Sequence, residues 1–145
     1  MTLIKKQTKE ETLQRLYDAL RESGEIPITE SSDIYSKGIY LSKDDTHEIY
    51  IKQAQPIKEK LHVLLHEYSH YVHLIHYFNQ ESRAECEIIA NGAAFVVCGE
   101  YEVNAKAVDL SKFSHDPAVV DRLSNTIQSV ATHILHGVRK VQGGR

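Results

Sequence analysis

Residues 56–75 read PIKEKLHVLLHEYSHYVHLI, and this stretch decides how the rest of the chain is interpreted. Pro56 suits the first turn of a helix. Apolar residues then recur at helical spacing, at Ile57, Leu61, Leu64, Tyr68, Tyr71, Val72 and Ile75. Histidine is concentrated in the same region, since five of the nine histidines lie between His62 and His76. The stretch therefore predicts a helix with one face on a core and a histidine-bearing face directed away from it.

The histidine-bearing face contains His66-Glu67-Tyr68-Ser69-His70, an H-E-x-x-H sequence. Because a helix turns about 100° per residue, His66 and His70 lie about 40° apart, one turn along the same face. Two imidazoles so placed can bind one zinc ion, and Glu67 beside them can reach a zinc-bound water as a catalytic base. The metal would lower the pKa of that water towards about 7 for attack on a carbonyl. His62 and His73 share the predicted face, where we expect surface or supporting groups rather than ligands.

A catalytic zinc ion takes three protein ligands and keeps one position open. The downstream candidates for the third ligand are Glu81, Glu85 and Glu87. Ser82 and Glu85 have the Ser-x-x-Glu spacing of a capping box, which gives Glu85 a role at the start of a helix. Glu87 lies about 160° around that helix from Glu85. It shares its face with Ala90, Asn91 and Ala94. The two alanines allow close approach of another helix, and Asn91 could form a supporting hydrogen bond. Helical geometry favours Glu87.

The remaining patterns predict one domain over residues 1–145 with an α+β fold, since 145 residues suit a single core. A helix is expected from Thr8 to Glu22, and a β-hairpin from two β-branched, aromatic stretches, 38–42 and 48–52. The helix that Ser82 caps should end near Cys98, where Gly99 follows. A last helix should begin at Asp116-Pro117 and end near Gly137.

Composition narrows the classes of partner and compartment. The net charge of -3 offers no electrostatic attraction to nucleic acid or to an acidic membrane surface. No apolar run approaches the roughly 20 residues that cross a bilayer, and the opening MTLIKKQTKEE does not resemble a signal peptide. Cys86 and Cys98 lie about 18 Å apart along one predicted helix, too far for a disulfide. We therefore expect a reduced, cytoplasmic protein.

Two motifs together resemble a known arrangement. HEYSH at 66–70 followed by EIIAN at 87–91 resembles the gluzincin pattern, H-E-x-x-H with a later E-x-x-A-D or E-x-x-A-N. A glycine-tyrosine strand pair before the histidine helix is most similar to the ImmA/IrrE family of small metallopeptidases. GAAF at 92–95 is also similar to the zincin domain of ArdC-type antirestriction proteins. The similarity covers roughly Tyr35 to Glu100. It departs at Ser69, where glycine or alanine is usual, and at Asn91, where aspartate is common.

The resemblance implies a minimal zincin-like domain, in which a short β-sheet or hairpin packs on a helical bundle that contains the H-E-x-x-H helix. It implies that His66, His70 and Glu87 bind Zn²⁺ and that Glu67 is catalytic. The implied activity is cleavage of a helix-turn-helix repressor in mobile genetic element or stress-response control. No helix-turn-helix module is evident in this sequence, so such a repressor would be a separate chain. A peptide substrate could extend along the edge of the hairpin.

Two other functions are open at this point. The chain could be a zincin-fold binding module of antirestriction or anti-defence type, with a largely structural metal, although structural zinc usually has four protein ligands and does not need Glu67. It could also be a helical domain without metal and with a histidine-rich surface. A peptidase further needs a group that stabilises the oxyanion. Five residues are candidates for that role: Tyr40, Tyr50, Tyr101, His115 and His133.

Overall fold

A computed structural model describes residues 9–143. In chain order these residues form helix α1 (Lys9–Ser23), strands β1 (Ile28–Ser31), β2 (Gly38–Lys43) and β3 (Thr46–Lys52), helix α2 (Ile57–Val72), a π-helical turn (His73–Tyr77), and helices α3 (Arg83–Glu100), α4 (Leu110–Phe113) and α5 (Pro117–Gly143). The predicted α+β class is confirmed. Thr8, the predicted start of the first helix, lies outside the described residues.

The core forms where the four long helices and the sheet meet. The predicted apolar face of α1 is buried, with Leu16 and Leu20 no more than 1% exposed. The predicted face of α5 is buried as well, through Leu123, Ile127, Val130, Ala131 and Ile134. On α2 the buried side chains include Leu61, Leu64, Tyr68, Tyr71 and Val72. Helical spacing of apolar residues thus identified the core-facing side of each of these helices.

The predicted hairpin is confirmed, and a third strand joins it. Strands β2 and β3 pair antiparallel, with Lys43 opposite Thr46. Asp44, in the connection, has φ 55°, a left-handed conformation that aspartate tolerates better than most residues. Strand β1, which the sequence analysis did not predict, pairs parallel with β3, so the sheet order is β1-β3-β2. Strand β2 therefore lies at an edge of this sheet.

Two predicted helix ends differ from the structure. Helix α5 continues six residues beyond Gly137 to Gly143, because the next turn buries Val138 completely. Core contact thus outweighs the glycine signal at this position. Helix α3 ends at Glu100, only two residues beyond the predicted end near Cys98, whose side chain is fully buried. The short helix α4 had no clear apolar pattern to predict it.

The end of α2 departs from regular α-helical spacing. Backbone hydrogen bonding changes at His73 into the π-helical turn, which holds more residues per turn than an α-helix. Side chains beyond this point are therefore rotated relative to the pattern of the preceding residues. Ile75, predicted to face the core, is 44% exposed, and His73, predicted to share the open face, is 1% exposed. Both predictions are wrong: the turn accounts for Ile75, whereas His73 is buried because it pairs with Glu81.

Strand β2 lies close against α2 at Gly38. A Cβ atom at this position would lie 2.3 Å from Cγ1 of Val63 and 3.3 Å from Cδ1 of Ile51. Gly38→Ala is therefore expected to lower the free energy of unfolding by about 1–3 kcal/mol, as overpacking does in a well-packed site. Urea unfolding measures this. Gly99→Ala is the matched control, because its Cβ would meet nothing within 4 Å, and its stability should be unchanged or higher. Equal stability of wild type and Gly38→Ala would show that β2 can shift away.

Two further expectations concern the chain as a whole. Cys86 and Cys98 are both free thiols, as their separation along α3 predicted. Within residues 9–143, no helix combines the length and apolar character that crossing a membrane requires.

Candidate metal centre

Helices α2 and α3 bring His66, His70 and Glu87 together. Nε2 of His70 lies 3.1 Å from Nε2 of His66. The Glu87 carboxylate spans both imidazoles, with Oε1 3.0 Å from Nε2 of His70 and Oε2 3.3 Å from Nε2 of His66. The three side chains thus present one donor atom each to a common point.

The spacing of these donor atoms matches what a zinc ion requires. Four ligands at about 2.0–2.1 Å from zinc in a tetrahedron lie about 3.3 Å from one another. The two imidazole nitrogens lie 3.1 Å apart, close to that edge length, and each is 3.0 or 3.3 Å from a different oxygen of the Glu87 carboxylate. Two imidazoles and one carboxylate are also a common donor set of catalytic zinc sites. The residues present therefore fit a His-His-Glu metal site.

The start of α3 has the local structure that the sequence predicted. The Ser82 side chain accepts a hydrogen bond from the backbone N–H of Glu85, and the Glu85 carboxylate accepts one from the backbone N–H of Ser82. This capping box fixes where the helix begins and so which residues face α2. Glu85 also pairs with Arg122 on α5. Glu85 therefore lies outside the metal cluster.

Small residues then allow α3 to pack closely on its neighbours. Ala90 is fully buried, and a Cβ on Gly92 would lie 2.6 Å from Cδ1 of Ile127 on α5.

One turn after Glu87, Oδ1 of Asn91 lies 2.9 Å from Nδ1 of His66. If Nδ1 carries the proton, Nε2 of His66 is free to bind a metal, which is the usual role of such a supporting hydrogen bond.

Glu81, the other candidate ligand, is placed elsewhere. Its side chain is 1% exposed and pairs closely with Nε2 of His73, itself 2% exposed. The Glu81 carboxylate also accepts hydrogen bonds from the backbone N–H of Asn79 at 3.1 Å. This buried pair connects the π-helical turn to the segment before α3, and it accounts for the burial of His73.

Glu67 lies beside the cluster on the wall of a cleft of about 650 Å³, which His62, His66 and Asn91 also line. Burial raises the pKa of the Glu67 carboxyl, although the neighbouring His66 opposes the shift. Burial, together with His66, lowers the pKa of His70, which favours the neutral imidazole that metal binding requires. Ser69, where the resembled family has a smaller residue, faces away from the cleft into the core.

None of the five residues considered for oxyanion stabilisation is among those lining the cleft in the described part of the chain. Tyr40 instead contacts His47, and Tyr101 donates a hydrogen bond to Gln142. The cleft is lined by three other basic side chains, Lys37, His62 and Lys106. His62 carried a sequence signal, because it lies one turn before His66 on the same face. Lys37 and Lys106 lie in loops and had no such signal.

Comparisons of the sequence and the structure with known proteins identified no relative of this chain. No protein-family model matches the chain, and neither the curated proteins nor the solved structures include a significant match.

Proposed function

We propose that this chain is a zinc-dependent metalloendopeptidase with a zincin-like domain. The observation that carries the proposal is the convergence of His66, His70 and Glu87 at 3.0–3.3 Å, with Glu67 beside them on an open cleft. A structural zinc site would have a fourth protein ligand. Among the described residues the cluster offers three, which leaves a position for a reacting molecule.

The chain's own residues divide the chemistry between them. When bound, a zinc ion would supply Lewis acidity, polarising a carbonyl and making water acidic enough to react near neutral pH. The Glu67 carboxylate takes the proton of the attacking water and passes it to the departing amide nitrogen. Its partly buried position strengthens these electrostatic interactions. His62 lines the same wall one turn away, but its imidazole is already hydrogen-bonded to the backbone of Asn104, so polarising the substrate carbonyl would fall to the metal.

The position of the sheet favours an extended peptide as the substrate. Strand β2 is an edge strand, and Gly38 at its start lines the cleft together with Lys37 and Val63. A peptide that pairs with an unpartnered strand edge gains backbone hydrogen bonds without needing a particular sequence. The resemblance to ImmA/IrrE proteins makes a separate helix-turn-helix repressor the protein substrate to test first.

Removal of one ligand tests the proposal. His70→Ala is expected to weaken zinc binding at this site at least about 100-fold, more than loss of a supporting hydrogen bond does, and to abolish cleavage. Cleavage of candidate repressors and of a mixed peptide library is measured on chelator-treated protein, before and after zinc is restored. His115→Ala is a control, because His115 is exposed and outside the cleft.

The outcomes separate the functions. Zinc-dependent cleavage by wild type and His115→Ala, but not by His70→Ala, supports the peptidase. Binding of a repressor by zinc-loaded wild type without cleavage would instead indicate the zincin-fold binding module. Equal cleavage by wild type and His70→Ala would contradict the metal site.

A further inference from the structure

A second group of metal-binding side chains lies on the other side of α2 from the candidate metal centre. Glu25 follows α1, His76 belongs to the π-helical turn, and His133 lies on α5. Each offers one ligand atom, and the three atoms lie within 4.8 Å of one another. We propose that Glu25, His76 and His133 form a second site, for a divalent transition-metal ion such as Zn²⁺, Co²⁺ or Ni²⁺.

The geometry of the three side chains supports this site. Nε2 of His76 lies 2.8 Å from Oε2 of Glu25, and Nε2 of His133 closely contacts Oε1 of the same carboxylate. The two imidazole rings lie beside each other, with centroids 4.4 Å apart. Two imidazoles and a carboxylate that converge in this way form a donor set that suits zinc, cobalt and nickel.

Surrounding groups orient the ligands as they do in known metal sites. The hydroxyl of Tyr71 donates a hydrogen bond to Oε2 of Glu25 at 3.2 Å, and the backbone N–H of Glu25 donates one to the Tyr68 hydroxyl at 3.3 Å. The Tyr77 hydroxyl lies 3.4 Å from Nδ1 of His133 and so holds its Nε2 towards Glu25. Supporting hydrogen bonds of this kind fix the ligand atom and the tautomer.

The surroundings of the second site determine how the coordination of a bound ion is completed and how the ion affects stability. Tyr68, Tyr77 and His133 line a groove of about 440 Å³, from which water can complete the coordination. The ligands come from three segments far apart in the chain, so a bound ion would cross-link the end of α1, the end of α2 and α5. Binding to the folded state alone would raise the melting temperature. The π-helical turn is what directs His76 towards this group, and such turns are frequent at functional sites.

The test counts zinc ions per chain in purified, chelator-treated full-length protein. Zn²⁺ is the probe, and its binding is measured by calorimetric titration and by elemental analysis after dialysis. His70→Ala isolates the second site from the first. We expect two equivalents for wild type, one for His70→Ala, and none for His70→Ala/His133→Ala. His115→Ala is the control and should bind two, because His115 is exposed and lines neither the cleft nor the groove.

Melting temperature gives an independent readout. Zinc should raise the melting temperature of His70→Ala by several degrees and leave that of His70→Ala/His133→Ala unchanged. His76→Ala, which removes a more exposed ligand, replaces His133→Ala if that variant does not fold. Equal zinc content in His70→Ala with and without the second substitution would overturn the second site. One equivalent in wild type and none in His133→Ala would instead keep the second site and remove the proposed metallopeptidase site, so the two failures are distinguishable.

Discussion

Glu67→Gln is expected to lower kcat for peptide hydrolysis about 100- to 10,000-fold, the range that a positioned general base contributes. Glutamine keeps the size and hydrogen-bonding reach of the side chain but cannot accept a proton. Glu67 is not one of the three converging ligands, so the zinc content should stay at the wild-type level. Steady-state cleavage and elemental analysis of the same preparation measure the two quantities.

A control on α2 separates loss of the base from a general loss of charge. Glu59 lies on the same helix, is exposed, and pairs with Lys37 at 3.2 Å. Glu59→Gln should therefore keep kcat within about fivefold, since exposed pairs contribute at most about 1 kcal/mol. Undiminished cleavage by Glu67→Gln would remove Glu67 from the mechanism. Loss of zinc together with cleavage would instead show that Glu67 supports the metal.

The pH dependence provides a further check on the same residue. Burial raises the pKa of Glu67 in the metal-free protein, whereas a bound cation favours the charged carboxylate and lowers it. A base acts only when deprotonated, so activity should fall as the pH drops through its pKa. Wild type should therefore show an acidic limb in kcat/KM, and the residual activity of Glu67→Gln should lack it. An identical limb in both proteins would assign it to another group.

The candidate metal centre was largely predictable because its determinants are local. The separation of His66 from His70 is fixed by the pitch of one helix, and the Ser82 capping box fixes the phase of α3 and hence the direction of Glu87. Asn91 follows from the same helix. Each inference needed only residues close in sequence and the expectation that two helices pack together.

What the sequence did not predict depends on contacts between distant segments. Strand β1 has four residues and gains its pairing from β3. His73 is buried because it pairs with Glu81. The π-helical turn changes the direction of the side chains that follow, so Ile75 is exposed and His76 meets Glu25. Regular helical spacing contains no signal for that change. The second cluster joins Glu25 to His76, which lies 51 positions later in the chain, and to His133, which lies 108 positions later. It could not be found before the fold was known.

His73→Leu is expected to lower the free energy of unfolding by about 1–3 kcal/mol, the usual cost of leaving a buried polar group without its hydrogen-bond partner. The substitution leaves the Glu81 carboxylate buried, with only the N–H of Asn79 and the more distant Arg122 beside it. Urea unfolding measures the loss. Arg139→Gln is the control, because Arg139 and Glu100 form a mostly exposed pair at 3.3 Å and its removal should change stability by less than about 1 kcal/mol.

The double variant His73→Leu/Glu81→Leu decides whether the pair matters through its hydrogen bond or through its position. Replacing both partners with apolar residues removes the buried carboxyl group that lost its partner, so it should recover much of the stability lost in His73→Leu. Because the pair joins the end of α2 to the segment before α3, we expect it to help set the spacing between His70 and Glu87. We therefore expect the double variant to fold but to bind zinc more weakly at the candidate metal centre. Wild-type zinc affinity in that variant would show that helix packing alone aligns the three ligands.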